Sequence, residues 1–130
     1  MKKWMIWVIA ILILLVILVV VFKGFGEDSW IKNEKGIYIN HGNPLKTPAY
    51  VKEQQDAVIC AIDLYENALT NSMDFDSQCL GTCKDYAVDI VNVPRSDIDN
   101  KVENQCEDYR NGIVNHFIEL DKKGIVVRIE

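Results

Sequence analysis

The chain has 130 residues, enough for one small domain beside a membrane segment. It carries 19 acidic and 14 basic residues, for a formal net charge of −5, and 49% of its residues are hydrophobic. An acidic protein is repelled by phosphate backbones, so the composition argues against nucleic acid as a partner.

The first predicted element is a transmembrane helix over residues 4–22. These 19 consecutive residues are all apolar. At a rise of about 1.5 Å per residue, the helix would span roughly 28 Å, close to the roughly 30 Å hydrocarbon core of a bilayer. Aromatic rings favour the headgroup level, which predicts a membrane-interface role for the aromatic residues at both ends: Trp4, Trp7, Phe22 and Phe25.

A cleaved signal peptide is the alternative, because Lys2 and Lys3 form a positively charged N-terminal region. The apolar run is longer than a usual signal-peptide core, however, and residues 23–26 lack the small-x-small pattern that a signal peptidase requires. The sequence therefore favours an uncleaved anchor whose partner is the lipid bilayer, contacted through residues 4–22.

The charges beside this segment predict its orientation. Lys2 and Lys3 precede it, whereas Glu27 and Asp28 soon follow it. The positive-inside rule then places the N-terminus in the cytoplasm of a single-pass plasma-membrane protein. The predicted organisation is a cytoplasmic tail (1–3), the transmembrane helix (4–22), a juxtamembrane linker (23–35) and an extracytoplasmic disulfide-stabilised domain (36–130).

The predicted domain has one long helix. Thr47 is the expected N-cap, and Pro48 suits the first helical position because its missing N–H would be unbonded there. Apolar residues recur at helical spacing from Val51 to Leu69, which predicts a helix over residues 48–70.

Four segments have the character of strands. Residues 36–40 are short and β-branched, residues 86–91 and 114–120 alternate in polarity, and residues 125–129 follow a glycine-containing turn. Residues 71–84 and 94–112 have the composition of loops. The fold class is therefore predicted as α+β, with the long helix packed on a three- to four-stranded antiparallel sheet.

All four cysteines follow the apolar segment: Cys60, Cys79, Cys83 and Cys106. An even number of cysteines in a small extracytoplasmic domain predicts two disulfides, with a metal site or a redox pair as the alternatives. Three pairings are compatible with the sequence. The predicted fold favours Cys60–Cys106 with Cys79–Cys83, because the helix end and the following strand would bring the second pair together.

No motif of a known catalytic or phosphate-binding site is present, and no catalytic residue, cofactor or metal site is predicted. His116 lies on the apolar alternation of a strand, where a structural role is expected, and His41 lies in a turn. Asp97, Asp99 and Glu103 resemble calcium ligands in their spacing but lack the frame of an EF-hand. The predicted function is a non-catalytic protein-interaction or envelope component that engages another membrane or envelope protein. An enzyme with a site near His116 and the 94–112 loop is an alternative.

A second alternative is a pilin-like assembly subunit. An N-terminal apolar helix, a long second helix, an antiparallel sheet and disulfides near the C-terminus are similar to the general plan of type IV pilins and pseudopilins. The sequence departs from that plan because no glycine processing site precedes the apolar run and no glutamate lies in its first turns. The resemblance implies removal of the first few residues.

Overall fold

The structure, a computed structural model, describes residues 2–24 and 28–130, apart from the side chains of residues 22–24. Phe25 and the side chain of Phe22 lie outside the described residues, so their expected role at a membrane interface stays a prediction. The chain forms two compact units, Met1–Ser29 with Asn40–Leu45, and Trp30–Ile39 with Lys46–Glu130.

The first unit contains the apolar helix α1, Lys3–Gly24. Its segment Lys3–Val21 has a mean hydropathy of 3.4, and none of it is buried in the structure. By length and composition, this helix can cross a membrane, as an anchor or as a signal sequence. In the same unit, the Asp28 carboxylate accepts a hydrogen bond from the Asn43 N–H at 2.9 Å.

A two-stranded sheet pairs β1, Ser29–Lys32, with β2, Tyr38–His41. The strand β2 overlaps the strand predicted at 36–40, whereas β1 lies in the segment assigned to the linker. The Tyr38 N–H donates to the Gln54 side chain at 2.8 Å, and the Gln54 amide donates to the Gly36 carbonyl at 2.9 Å. Since Gln54 is only 2% exposed, these bonds fix residues 36–38 to a buried point on the following helix.

That helix is α2, Ala49–Thr70, as its apolar spacing predicted. The expected cap was wrong by one position. Pro48, in place of Thr47, is the N-cap, and no side chain bonds the helix end. The Pro48 carbonyl instead accepts the Val51 and Lys52 N–H groups, both at 3.2 Å.

A four-stranded sheet follows in the order β3-β4-β5-β6. Its strands are β3 (Gln78–Cys83), β4 (Tyr86–Ile90), β5 (His116–Leu120) and β6 (Val126–Ile129). The prediction of a fully antiparallel sheet was wrong, because β4 and β5 are parallel. Residues 91–115 form the crossover that this pairing requires, and they contain two 3₁₀ turns (Asp97–Asn100 and Val102–Asn104) and the one-turn helix α3 (Glu107–Arg110).

The two faces of the sheet differ in chemistry. On the first face, strand residues of β4, β5 and β6 share one hydrophobic cluster with Ala57 and Ala61 of α2. These strand residues are Tyr86, Val88, Ile90, Ile118, Leu120 and Ile129. On the second face, Ala87 and Phe117 form a smaller cluster with two residues of the crossover, Cys106 and Val114. The second face is therefore covered as well, which explains the nearly continuous burial of β5.

Both disulfides differ from the expected pairing. Cys60 of α2 is bonded to Cys83, and Cys79 is bonded to Cys106, with Cα–Cα distances of 5.9 and 4.8 Å. All four cysteines are in disulfides.

The strand β3 is the physical reason for this correction. Residues four apart in a strand lie about 13 Å apart, whereas a disulfide joins Cα atoms at most about 7 Å apart, so Cys79 and Cys83 cannot bond. A bulge between Cys79 and Gly81 also shifts the alternation of the strand. Cys79 is paired with Asp89 and Cys83 with Tyr86, so the two cysteines face opposite sides of the sheet.

Candidate functional site

Two clefts open on the disulfide-bonded unit, and each holds residues that the sequence singled out. The 94–112 loop lines the first, which we call the arginine cleft, and His116 lines the second, which we call the tyrosine cleft. No described residue of the 94–112 loop lines the cleft of His116. The structure thus separates the two parts of the predicted enzyme site.

The arginine cleft lies on the second face of the sheet and encloses about 130 Å³. Three of its residues form a row across neighbouring strands, because Asp89 pairs with Glu119 and Glu119 with Arg128. The crossover contributes further polar residues, namely Arg95, Asp99, Asn104, Gln105 and Tyr109. Such a cleft is smaller than the roughly 300 Å³ at which small-molecule sites begin.

Glu119 is the centre of this row. Its side chain is 6% exposed and forms ion pairs with Arg95 and with Arg128, whose Nε lies 3.1 Å from Oε2. The Arg128 guanidinium also lies 4.7 Å from the centroid of the Phe117 ring. The buried negative charge is therefore paired twice, as a charge removed from water requires.

Asp89 is the second carboxyl of this row, and its pKa is raised. Burial raises the pKa of Asp89 to about 6, against the lowering effect of the hydrogen bond from the Cys106 N–H. The neighbouring Glu119 charge raises the pKa further, and Arg95 lowers it. Asp89 consequently holds a proton at mildly acidic pH inside a cleft that carries other charges.

The pKa of Asp99 is lowered, in contrast to that of Asp89. Burial alone would raise its pKa, but hydrogen bonds from the N–H groups of Ser96 and Asn92 lower it to about 2. These donors lie 2.7 and 2.9 Å from the carboxylate. Asp99, which is 3% exposed, thus serves the loop as a charged cap at the start of a 3₁₀ turn. Its oxygens are engaged locally, which disfavours the calcium interpretation.

One group of described residues comes close to the geometry of a metal site. Ligand atoms of Cys79, Asp89 and Cys106 lie within 4.8 Å of one another. The two sulfurs are bonded to each other, however, and a metal ligand must be a thiolate. The oxidised domain therefore uses these cysteines as a cross-link.

The tyrosine cleft lies beside β2, α2 and the ends of β4 and β5, and it also encloses about 130 Å³. Its aromatic residues are Tyr38, Tyr50, Tyr86 and His116, and its charged residues are Lys32, Glu53, Asp85 and Glu130. The Tyr38 and Tyr50 rings contact each other with centroids 5.0 Å apart, and Tyr86 stacks on His116 at 4.9 Å. The Lys32 ammonium lies 5.3 Å from the centroid of Tyr38.

His116 is held at the rim of this cleft. Its side chain is 47% exposed, and its Nε2 lies 3.8 Å from the Asp85 carboxylate. Hydrogen bonds from Asn115, helped by the His116 charge and opposed by burial, lower the pKa of Asp85. No serine, threonine or cysteine is among the described residues that line the cleft, so the hydroxyls near this histidine are those of tyrosines.

The sequence identified His116 and the 94–112 loop but missed most of the residues around them. The alternation of polarity in two predicted strands identified Asp89 and Glu119 as polar positions. The sequence did not show the parallel pairing of these strands, which places the two residues side by side. The tyrosines come from three separated segments, and no spacing in the sequence relates them. Comparison of the chain with protein-family models, with curated proteins and with solved structures gives no significant match.

Proposed function

We propose that this chain is a single-pass membrane protein whose disulfide-bonded domain lies outside the cytoplasm and binds another membrane or envelope protein without catalysing a reaction. The observation that carries the proposal is the unburied apolar helix. None of the segment Lys3–Val21 is buried in the structure, and a lipid bilayer is the environment that favours so long an apolar helix.

The disulfides support the proposed location. Two disulfides with no free cysteine are typical of domains that mature in an oxidising compartment. Lys2 and Lys3 before the helix, with acidic residues soon after it, favour the same orientation.

The composition of the two clefts supports binding over catalysis. In the arginine cleft, Arg95 and Arg128 each form an ion pair with Glu119. Asp99 accepts hydrogen bonds from its own loop. In the tyrosine cleft, no serine, threonine or cysteine lies beside His116 among the described lining residues. The crossover also exposes apolar side chains, with Val93 63% and Val102 58% exposed, as surfaces that bind proteins commonly do.

Two measurements on the native membrane test the proposal. The protein should remain in the membrane after alkaline carbonate extraction, and protease added to the outer side should remove the domain and leave the N-terminus protected. Mild cross-linking in the same membrane should join the chain to a second protein. Release by carbonate, or protection of the domain from outer protease, would refute the location.

N-terminal sequencing of the mature protein separates the remaining alternatives. An intact Met1 is expected for the uncleaved anchor. Loss of the whole apolar segment would indicate a signal peptide, and loss of only the first few residues would indicate the pilin-like assembly subunit.

A further inference from the structure

The tyrosine cleft has the chemistry of a site for an organic cation. Aromatic rings attract cations through their negative faces, and this cleft combines three tyrosines with carboxylates on its walls. A cation from the same chain already uses part of it, since the Lys32 ammonium lies 5.3 Å from the Tyr38 centroid.

Tyr86 supplies an independent indication of a ligand. The residue is only 7% exposed, yet its hydroxyl forms no hydrogen bond with any residue that the structure describes. Buried tyrosine hydroxyls usually have a partner. No fully buried side-chain polar atom among the described residues lacks a bond, so the unbonded Tyr86 hydroxyl is accessible on a residue that lines the cleft.

The electrostatic surroundings of this hydroxyl favour positive charge. Burial raises the pKa of Tyr86, and the nearby Glu53, Tyr38 and Asp85 raise it further. The negative charges of Glu53 and Asp85, which contribute to this rise, also attract a cation. Glu53 has no ion-pair partner among the described residues, whereas Asp85 is bonded to Asn115.

We propose that the tyrosine cleft binds the ammonium group of a lysine side chain on the partner protein, between the Tyr86 hydroxyl and the Glu53 carboxylate, in exchange for Lys32. The inference rests on the proposed function, because it names the chemistry by which the domain recognises its partner.

Lysine fits the cleft better than a quaternary ammonium does. A primary ammonium has three N–H donors, and the cleft offers carboxylate and hydroxyl acceptors that a quaternary ammonium cannot use. A volume of about 130 Å³ equals roughly four water molecules. That space admits the end of one extended side chain but excludes a folded segment.

The proposal can be tested on the full chain in maltoside micelles with ¹³C-labelled tyrosine rings. Titration with a short capped oligolysine peptide should shift the ring signals of Tyr38, Tyr50 and Tyr86. Tyr65 and Tyr109 lie outside the cleft, where they contact Phe75 and Phe117, so their signals should stay in place. The same peptide with acetylated lysines should shift none of them.

Three variants connect the shift to the proposed contacts. Glu53→Gln should weaken binding of the peptide about threefold, in the range of exposed charge pairs, whereas Glu66→Gln on the same helix should leave it unchanged. Lys32→Ala should strengthen binding, because the internal competitor is gone. All three positions are exposed, so these variants should fold.

Several results would overturn the inference. One is that the ring signals of the cleft tyrosines do not shift when the peptide is added. Another is that the Glu53→Gln and Glu66→Gln variants bind the peptide with equal affinity. Phosphatidylcholine vesicles that shift the cleft tyrosines when the peptide does not would assign the site to a lipid headgroup. A partner that still cross-links to a Glu53→Gln, Tyr50→Ala double variant in the native membrane would leave the proposed function intact while refuting the role of the cleft.

Discussion

Replacing Asp89 with asparagine should change how the stability of the domain depends on pH. In the native protein, Asp89 keeps its proton up to a pKa of about 6, whereas in the unfolded chain it loses the proton near the ordinary value of 3.8. Between these values the native state binds more protons, so the free energy of unfolding falls as the pH rises. The loss is complete above pH 6, where the carboxylate is charged in both states.

The magnitude follows from the difference between the two pKa values. One pKa unit corresponds to about 1.4 kcal/mol, so the charged form of Asp89 costs the domain about 3 kcal/mol above pH 6. Asparagine has the same shape and stays neutral, and its carbonyl can still accept the Cys106 N–H that lies 3.2 Å from the carboxylate. Asp89→Asn should therefore match the wild type near pH 4 and exceed its stability by about 3 kcal/mol at pH 7.

Urea unfolding followed by near-ultraviolet circular dichroism, at a series of pH values from 4 to 7, measures this difference. Asp63→Asn is the matched control, because it makes the same change at an exposed position of α2 outside the arginine cleft. A stability difference between Asp89→Asn and the wild type that stayed constant with pH would refute the reasoning, since it would show that Asp89 titrates alike in both states.

Three further predictions concern the same unit. Asp99→Asn should cost about 2 kcal/mol at pH 7 in urea unfolding, and the difference should vanish as the pH falls from 3.8 through about 2, where the wild-type carboxylate gains its proton. Gly36→Ala should lower the melting temperature more than Gly112→Ala does. Both glycines have positive φ, but only at Gly36 would a Cβ collide with backbone, and equal shifts would contradict this. Replacing Cys60 and Cys83 together with serine should lower the free energy of unfolding by about 3 kcal/mol on the chain-entropy model. Peptide mapping of the wild-type protein without reductant should find Cys60 joined to Cys83.

The sequence predicted the elements with strong local signals. The helix α2 and the strands β4, β5 and β6 have regular apolar spacing, and each lies where that spacing placed it. The strand β3 was missed because Gln78–Cys83 contains a glycine and a bulge and has no β-branched run.

The remaining errors followed from β3 and from the crossover. Because β3 was not predicted, the segment from Cys79 to Cys83 was assigned to a loop, and a disulfide between these two cysteines was expected. Without knowledge of the crossover, the strands on either side of residues 91–115 looked like antiparallel neighbours. Pairing over such distances depends on the whole fold, so local spacing could not reveal the row of Asp89 and Glu119 or the convergence of the cleft tyrosines.

The strand β3 has a mechanical consequence, because both disulfides meet on it. If the two ends of the domain are pulled apart, tension passes from Cys60 to Cys83, back along β3 to Cys79, and across to Cys106. Residues 61–78 and 84–105 lie outside this covalent path and cannot be drawn out while the disulfides are intact. A force on the C-terminal strands would thus load the α2 cross-link while most of the crossover, including the 3₁₀ turns, stays free of tension.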